Sequence, residues 1–134
     1  MRRSTACALL ALSLAACRPP ETPADAYRRF AAALHSPRPD VVQSAWDMLS
    51  AGSRQALDAR ARRLAEGAPG VVSPSGRDLL PGAVSRTAPR VKSVTVKQES
   101  ATAAVVAVED EGGGRGEVQL VREGEAWKVV LPLR

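Results

Sequence analysis

The chain is poor in the residues that most site chemistry needs. It has one histidine, two cysteines, two tryptophans, one tyrosine and one phenylalanine among 134 residues. A lone histidine with two thiols cannot assemble the nitrogen and sulfur set of a zinc or transition-metal centre, so no metal or other cofactor is expected. So few aromatic rings leave almost no stacking platform for single-stranded nucleic acid, and no nucleic-acid partner is expected. Long apolar runs are missing too. Ala6 to Ala16 is the longest and has about half the roughly 20 residues that a membrane-spanning helix requires, before Arg18, Pro19 and Pro20 end it.

That short run has a different use. Arg2 and Arg3 precede it, and small residues close it at Leu14-Ala15-Ala16-Cys17; this is the pattern of an export signal. The last four residues resemble the lipobox of bacterial lipoproteins. The resemblance implies cleavage between Ala16 and Cys17, a diacylglycerol on the Cys17 sulfur, and acylation of the new amino group by a fatty acid such as palmitate. A thiolate is the nucleophile such an alkylation requires. The other readings are an ordinary secretory signal and a chance apolar start. On the lipoprotein reading Cys7 leaves with the signal and Cys17 is consumed, so no thiol remains for a disulfide. The chain then divides into a signal peptide (1–16), a lipidated tether (17–22) and one domain (23–134). Arg18 rather than aspartate after the cysteine, by likeness to enterobacterial lipoproteins, implies the outer membrane, facing the periplasm.

The formal charge of +5 also shrinks on that reading, because removing Arg2 and Arg3 leaves 17 basic against 14 acidic residues. The remaining arginines are scattered among acids, as on a solvated surface or one weakly drawn to anionic head groups.

Thr22, Pro23 and Asp25 read as a helix start: a hydroxyl cap, a proline where no N–H is missed, and an acid at the positive end. The helix should run from Pro23 to about Leu34, burying Ala26, Tyr27, Phe30, Ala31, Ala33 and Leu34. A second helix is expected from Pro39 and Asp40 through Val41, Val42, Ala45, Trp46, Met48 and Leu49. Ser50 or Ser53 caps a third, with Ala56, Leu57, Ala61, Leu64 and Ala65 inward until Gly67. Ala68 to Pro89 reads as a long loop with one helical turn near Leu79 and Leu80, a length that is uncommon in compact domains unless functional or mobile.

Beyond Pro89 the apolar period changes to two. "RVKSVTVKQ", "ATAAVVAVED", "EVQLVRE" and "AWKVVLPL" read as four strands joined by short turns, an antiparallel meander. Helices followed by sheet predict an α+β fold with the helices on one face. The phrases "AAALHS", "AWDMLS", "SRQAL" and "VQLVREGEAWKVV" together resemble the nuclear transport factor 2-like superfamily, and small lipoproteins within it. That resemblance implies a curved four-stranded sheet wrapped around the helices as a cone whose open end can hold a ligand. The superfamily hosts isomerases, dehydratases, transport factors and binding modules, so it supplies no function by itself.

Individual residues admit a bland and a sharper reading. His35 is a helix-end residue or, with an orienting acid such as Asp40, a general base. Glu109, Asp110 and Glu111 are a solvated hairpin tip, lacking the alternating ligands of a calcium loop. "GGGRG" is flanked by strands and so is a hairpin rather than a phosphate loop. Arg54, Arg60, Arg62 and Arg63 make a solvated helix face, with Asp58 and Glu66 as partners. Trp46 and Trp127 are core, or with Tyr27 and Leu57 line a pocket lidded by the 68–89 segment. The function expected is a lipid-anchored envelope protein that binds a small apolar ligand or an envelope protein without catalysis; the alternative is a small isomerase- or hydrolase-type enzyme using the cone interior.

Overall fold

A computed structural model describes residues 19–83 and 89–132. The lipobox, Cys17 included, and residues 84–88 of the expected loop lie outside these. The first helix, α1 (Pro23–Leu34), starts where cap chemistry puts it: the Asp25 N–H donates to the Thr22 hydroxyl at 3.2 Å. That hydroxyl in turn donates to the Asp25 carboxylate at 2.8 Å. Ala24, Ala26, Phe30 and Ala33 are buried on its inner side.

The expected second helix is shorter. α2 (Pro39–Ser44) gives way to a 3-10 turn over Ala45–Met48, and Leu49 is already extended. The Ser44 hydroxyl donates to the Val41 carbonyl at 2.6 Å, the local competition that weakens helices at serine. Tertiary demand acts on the other side. Leu49 joins the sheet as a parallel bridge to Val129, and the tighter turn brings Ala45 and Trp46 into the core.

α3 (Ala51–Gly67) begins at Ser50, whose hydroxyl accepts the Ser53 N–H. Its buried stripe is narrower than expected: Ser53, Leu57 and Ala61 are inside, Leu64 is 45 % exposed and Ala56 is exposed. The glycine- and proline-rich segment after it holds α4 (Gly76–Ala83), two turns rather than one. The reason is α3. A β-carbon at Gly76 would lie 2.5 Å from the Asp58 nitrogen and 2.6 Å from the Leu57 carbonyl carbon, so only glycine allows this approach. The Gly76 N–H donates to the Asp58 carboxylate at 2.8 Å, and Leu80 is buried.

The four strands, β1 (Val91–Glu99), β2 (Ala103–Asp110), β3 (Arg115–Glu123) and β4 (Ala126–Val130), form one antiparallel sheet in chain order. Two register shifts interrupt β1, between Val91 and Ser93 and between Val96 and Gln98. The apolar ladder facing the helices pairs Val94 with Val108, Val106 with Val118, Ala104 with Leu120 and Leu120 with Val129. Leu49, Leu57, Leu80, Leu120, Val106 and Val129 form the fully buried centre against them. At the β2–β3 turn, Gly113 has φ +84°, and the Asp110 carboxylate accepts the Gly114 N–H at 2.8 Å.

One junction ties these layers together. The Ser50 N–H donates to the Val129 carbonyl at 2.9 Å, and the Leu131 N–H donates to the Ser53 hydroxyl at 2.9 Å. The Ala51 N–H donates to the Glu123 carboxylate at 2.7 Å, an acid at the positive end of α3. Ser50 and Ser53 are the buried polar residues among those described, and both are fully engaged.

Candidate functional site

α1 presents Tyr27, Phe30, Ala31 and Leu34 at helical spacing toward β1 and β4. The helix does not close fully on the sheet. Beneath it lies a cavity of 280 Å³, lined on the opposite side by Val91, Val118 and Val129 and by the chain after β4 at Leu131. Among the described residues, Tyr27 and His35 are the lining residues with polar side-chain atoms. The Tyr27 and Phe30 rings stand 6.3 Å apart and tilted by 42°, and burial pushes the Tyr27 phenol above its ordinary pKa.

A groove of 680 Å³ runs alongside, between α1, α2 and the start of β1, and shares Ala31, His35 and Val91 with the cavity. Among the described residues, its charged lining residues are Arg28, Arg29, Arg90 and Lys92, and no carboxylate lines it. A third hollow of 470 Å³ lies across the His35–Pro37 turn and again includes Arg90. His35 borders all three. Its backbone N–H donates to the Ala31 carbonyl, so it ends α1 in the position that sequence assigns to a helix-end residue.

The groove's cations differ in their commitments. Arg28 pairs with Asp25 at 2.9 Å and also donates to the Val94 carbonyl at 2.9 Å. Arg29 grips Glu21 with two hydrogen bonds of 2.9 and 3.0 Å. Lys92 pairs with Glu109 at 3.0 Å. These pairs face solvent, which screens them and leaves each a small net contribution. Arg90 has no carboxylate within ion-pair distance among the described residues, although all the chain's acidic side chains lie in them.

Of the four residues expected to line a pocket, Tyr27 borders the cavity, while Trp46, Leu57 and Trp127 sit in the packed core at 9 %, 1 % and 3 % exposure. Each indole is covered by an arginine, Trp46 by Arg77 at 6.0 Å and Trp127 by Arg122 at 5.1 Å. Asp40 pairs with Arg38 rather than with His35. Glu109 is held by Lys92 and Arg115, and no group of three His, Cys, Asp or Glu residues able to hold a metal occurs among the described residues. The α3 arginines do not pair with Asp58 or Glu66: the Asp58 carboxylate is taken by Gly76, and Arg62 donates only to the Asp58 carbonyl at 3.3 Å. Phe30, Leu34 and Val118 belong to the site without any sequence signal beyond apolar periodicity, and Arg90 without any.

Compared with known proteins, the chain matches no family model, no curated protein and no solved structure.

Proposed function

We propose that this protein is a lipid-anchored, non-catalytic binding module of a bacterial cell envelope, fastened through Cys17 to the outer membrane and facing the periplasm. The cavity under α1, with its almost wholly apolar lining, carries the binding part of this reading. Its volume lies close to the lower end of small-molecule sites, about 300 to 1,000 Å³. Supporting it is the contrast with the rest of the interior, where Trp46, Leu57, Leu120 and Trp127 fill the space between helices and sheet. The order of helices and strands, with α1 lying across a four-stranded meander, agrees with a nuclear transport factor 2-like cone. The anchor rests on Leu14-Ala15-Ala16-Cys17 and on the short proline-containing tether that follows.

Intact-mass analysis of the mature protein and membrane fractionation test the anchor. A diacylglyceryl group on an amino-terminal Cys17, and release into the soluble fraction on Cys17→Ser, are expected. An unmodified amino terminus would overturn it.

A further inference from the structure

We infer that the ligand is a single-chain anionic amphiphile, its alkyl chain in the cavity under α1 and its carboxylate or phosphate head in the adjoining groove against Arg90. This rests on the binding-module reading and adds the chemical class of the ligand. The apolar cavity and the cationic groove lie side by side and share Ala31, His35 and Val91 in their linings. One molecule with a greasy end and a charged end matches both surfaces at once, and neither an apolar compound nor a free ion does.

The sign of the charge follows from the lining. Among the described residues, four cationic side chains and no carboxylate border the groove, and a concavity lined by one sign of charge concentrates the opposite one. Arg28, Arg29 and Lys92 are ion-paired with Asp25, Glu21 and Glu109, which offsets most of their charge. Among the described residues, Arg90 is the lining cation with no carboxylate partner. Its carbonyl accepts the Glu111 N–H at 2.8 Å, fixing its backbone, while its side chain is exposed. A guanidinium offers the planar fork that suits carboxylate or phosphate oxygens. The negative end of α1 opposes an anion here. That opposition is reduced, because the Ala31 and Ala33 carbonyls accept N–H groups from His35 and Ser36.

Volume decides between one chain and two. At about 30 Å³ per water-sized group, the 280 Å³ cavity takes roughly nine such groups. One chain of about eight carbons fits that space, and a pair of long acyl chains does not.

The test is calorimetric titration of the full chain carrying Cys17→Ser with monomeric octyl phosphate, 1-octanol and inorganic phosphate, alongside vesicles of anionic diacyl phospholipid. Octyl phosphate should bind at least about tenfold more tightly than octanol or phosphate, a factor in the range of a charge-assisted hydrogen bond. Arg90→Glu should abolish that preference, and Arg90→Lys should restore part of it. Equal affinity for octanol and octyl phosphate would overturn the anionic head and leave the apolar site standing. Silence with all the single-chain probes would overturn both. Tight binding to the vesicles with none to octyl phosphate would overturn the single-chain assignment, and an unaltered preference in Arg90→Glu would remove Arg90 from the site.

Discussion

The junction of α3 with β4 and the last turn of α1 are built from similar materials to opposite effect. At the junction, the Ser50 N–H donates to the Val129 carbonyl and the Leu131 N–H to the Ser53 hydroxyl, and Leu49, Ser50 and Ser53 are buried. At the α1 turn, Tyr27, Ala31, Leu34 and His35 are only partly buried and border hollows. The difference lies in polar satisfaction. Two small serines at the junction tie helix to strand and draw the surrounding apolar groups into contact, whereas among the described residues α1 is tied to β1 by the Arg28 bond to the Val94 carbonyl alone. Stability is concentrated at one place and room for a ligand at the other.

Substitutions at the junction and in the core packed around it should therefore cost far more than those at the α1 turn. The largest effect is expected for Trp127→Ala, about 3–5 kcal/mol in a domain whose total is about 5–15 kcal/mol, read from urea unfolding. Gly76→Ala should follow at about 1–3 kcal/mol, because its β-carbon meets the α3 backbone rather than a movable side chain; hydrogen exchange in α3 and α4 would rise with it. Ser53→Ala should lose about 1–2 kcal/mol, leaving the Leu131 N–H without its acceptor. Arg90→Gln, at the α1 turn, should change stability by no more than about 0.5 kcal/mol. A cost at Arg90 comparable to that at Ser53 would erase the contrast between the two regions.

Acid should have the smallest effect. The Thr22 hydroxyl, with Arg28, holds the Asp25 carboxyl below its ordinary pKa, and Lys92 with Arg115 does the same for Glu109. The stabilisation from such groups is complete above the ordinary carboxylate range and is lost as pH falls through the lowered values. Both groups face solvent, so the loss in an acid titration of the melting temperature should be slight and further reduced by salt.

The features legible in sequence were those decided locally. Thr22, Pro23 and Asp25 set the start of α1, and the alternation of Val94 and Val96, and of Val118 and Leu120, with polar residues sets the inner face of their strands, because cap chemistry and pleat act within a few residues. Features decided by distant partners were not legible. Gly76, Pro81 and Gly82 argue against a helix on propensity alone, and α4 forms because α3 supplies Asp58 and a bare backbone surface. Ala56, Leu64 and Ala65 continue an apolar stripe that α3 has little to bury against. For the candidate site, periodicity identifies Tyr27, Phe30 and Leu34 as inward but does not say which inward residues meet a filled space and which a void. Trp46, Leu57 and Trp127 carry the same apolar signal as Tyr27 and end in the core.

The most direct test of a ligand site under α1 is a map of backbone amide shifts as 1-octanol is titrated into the isotopically labelled full chain carrying Cys17→Ser. The account predicts saturable shifts centred on Ala31, Leu34, His35 and Val91, with Leu57, Ala61 and Leu80 unmoved. Shifts spread through the α3 core, or none that saturate, would contradict it.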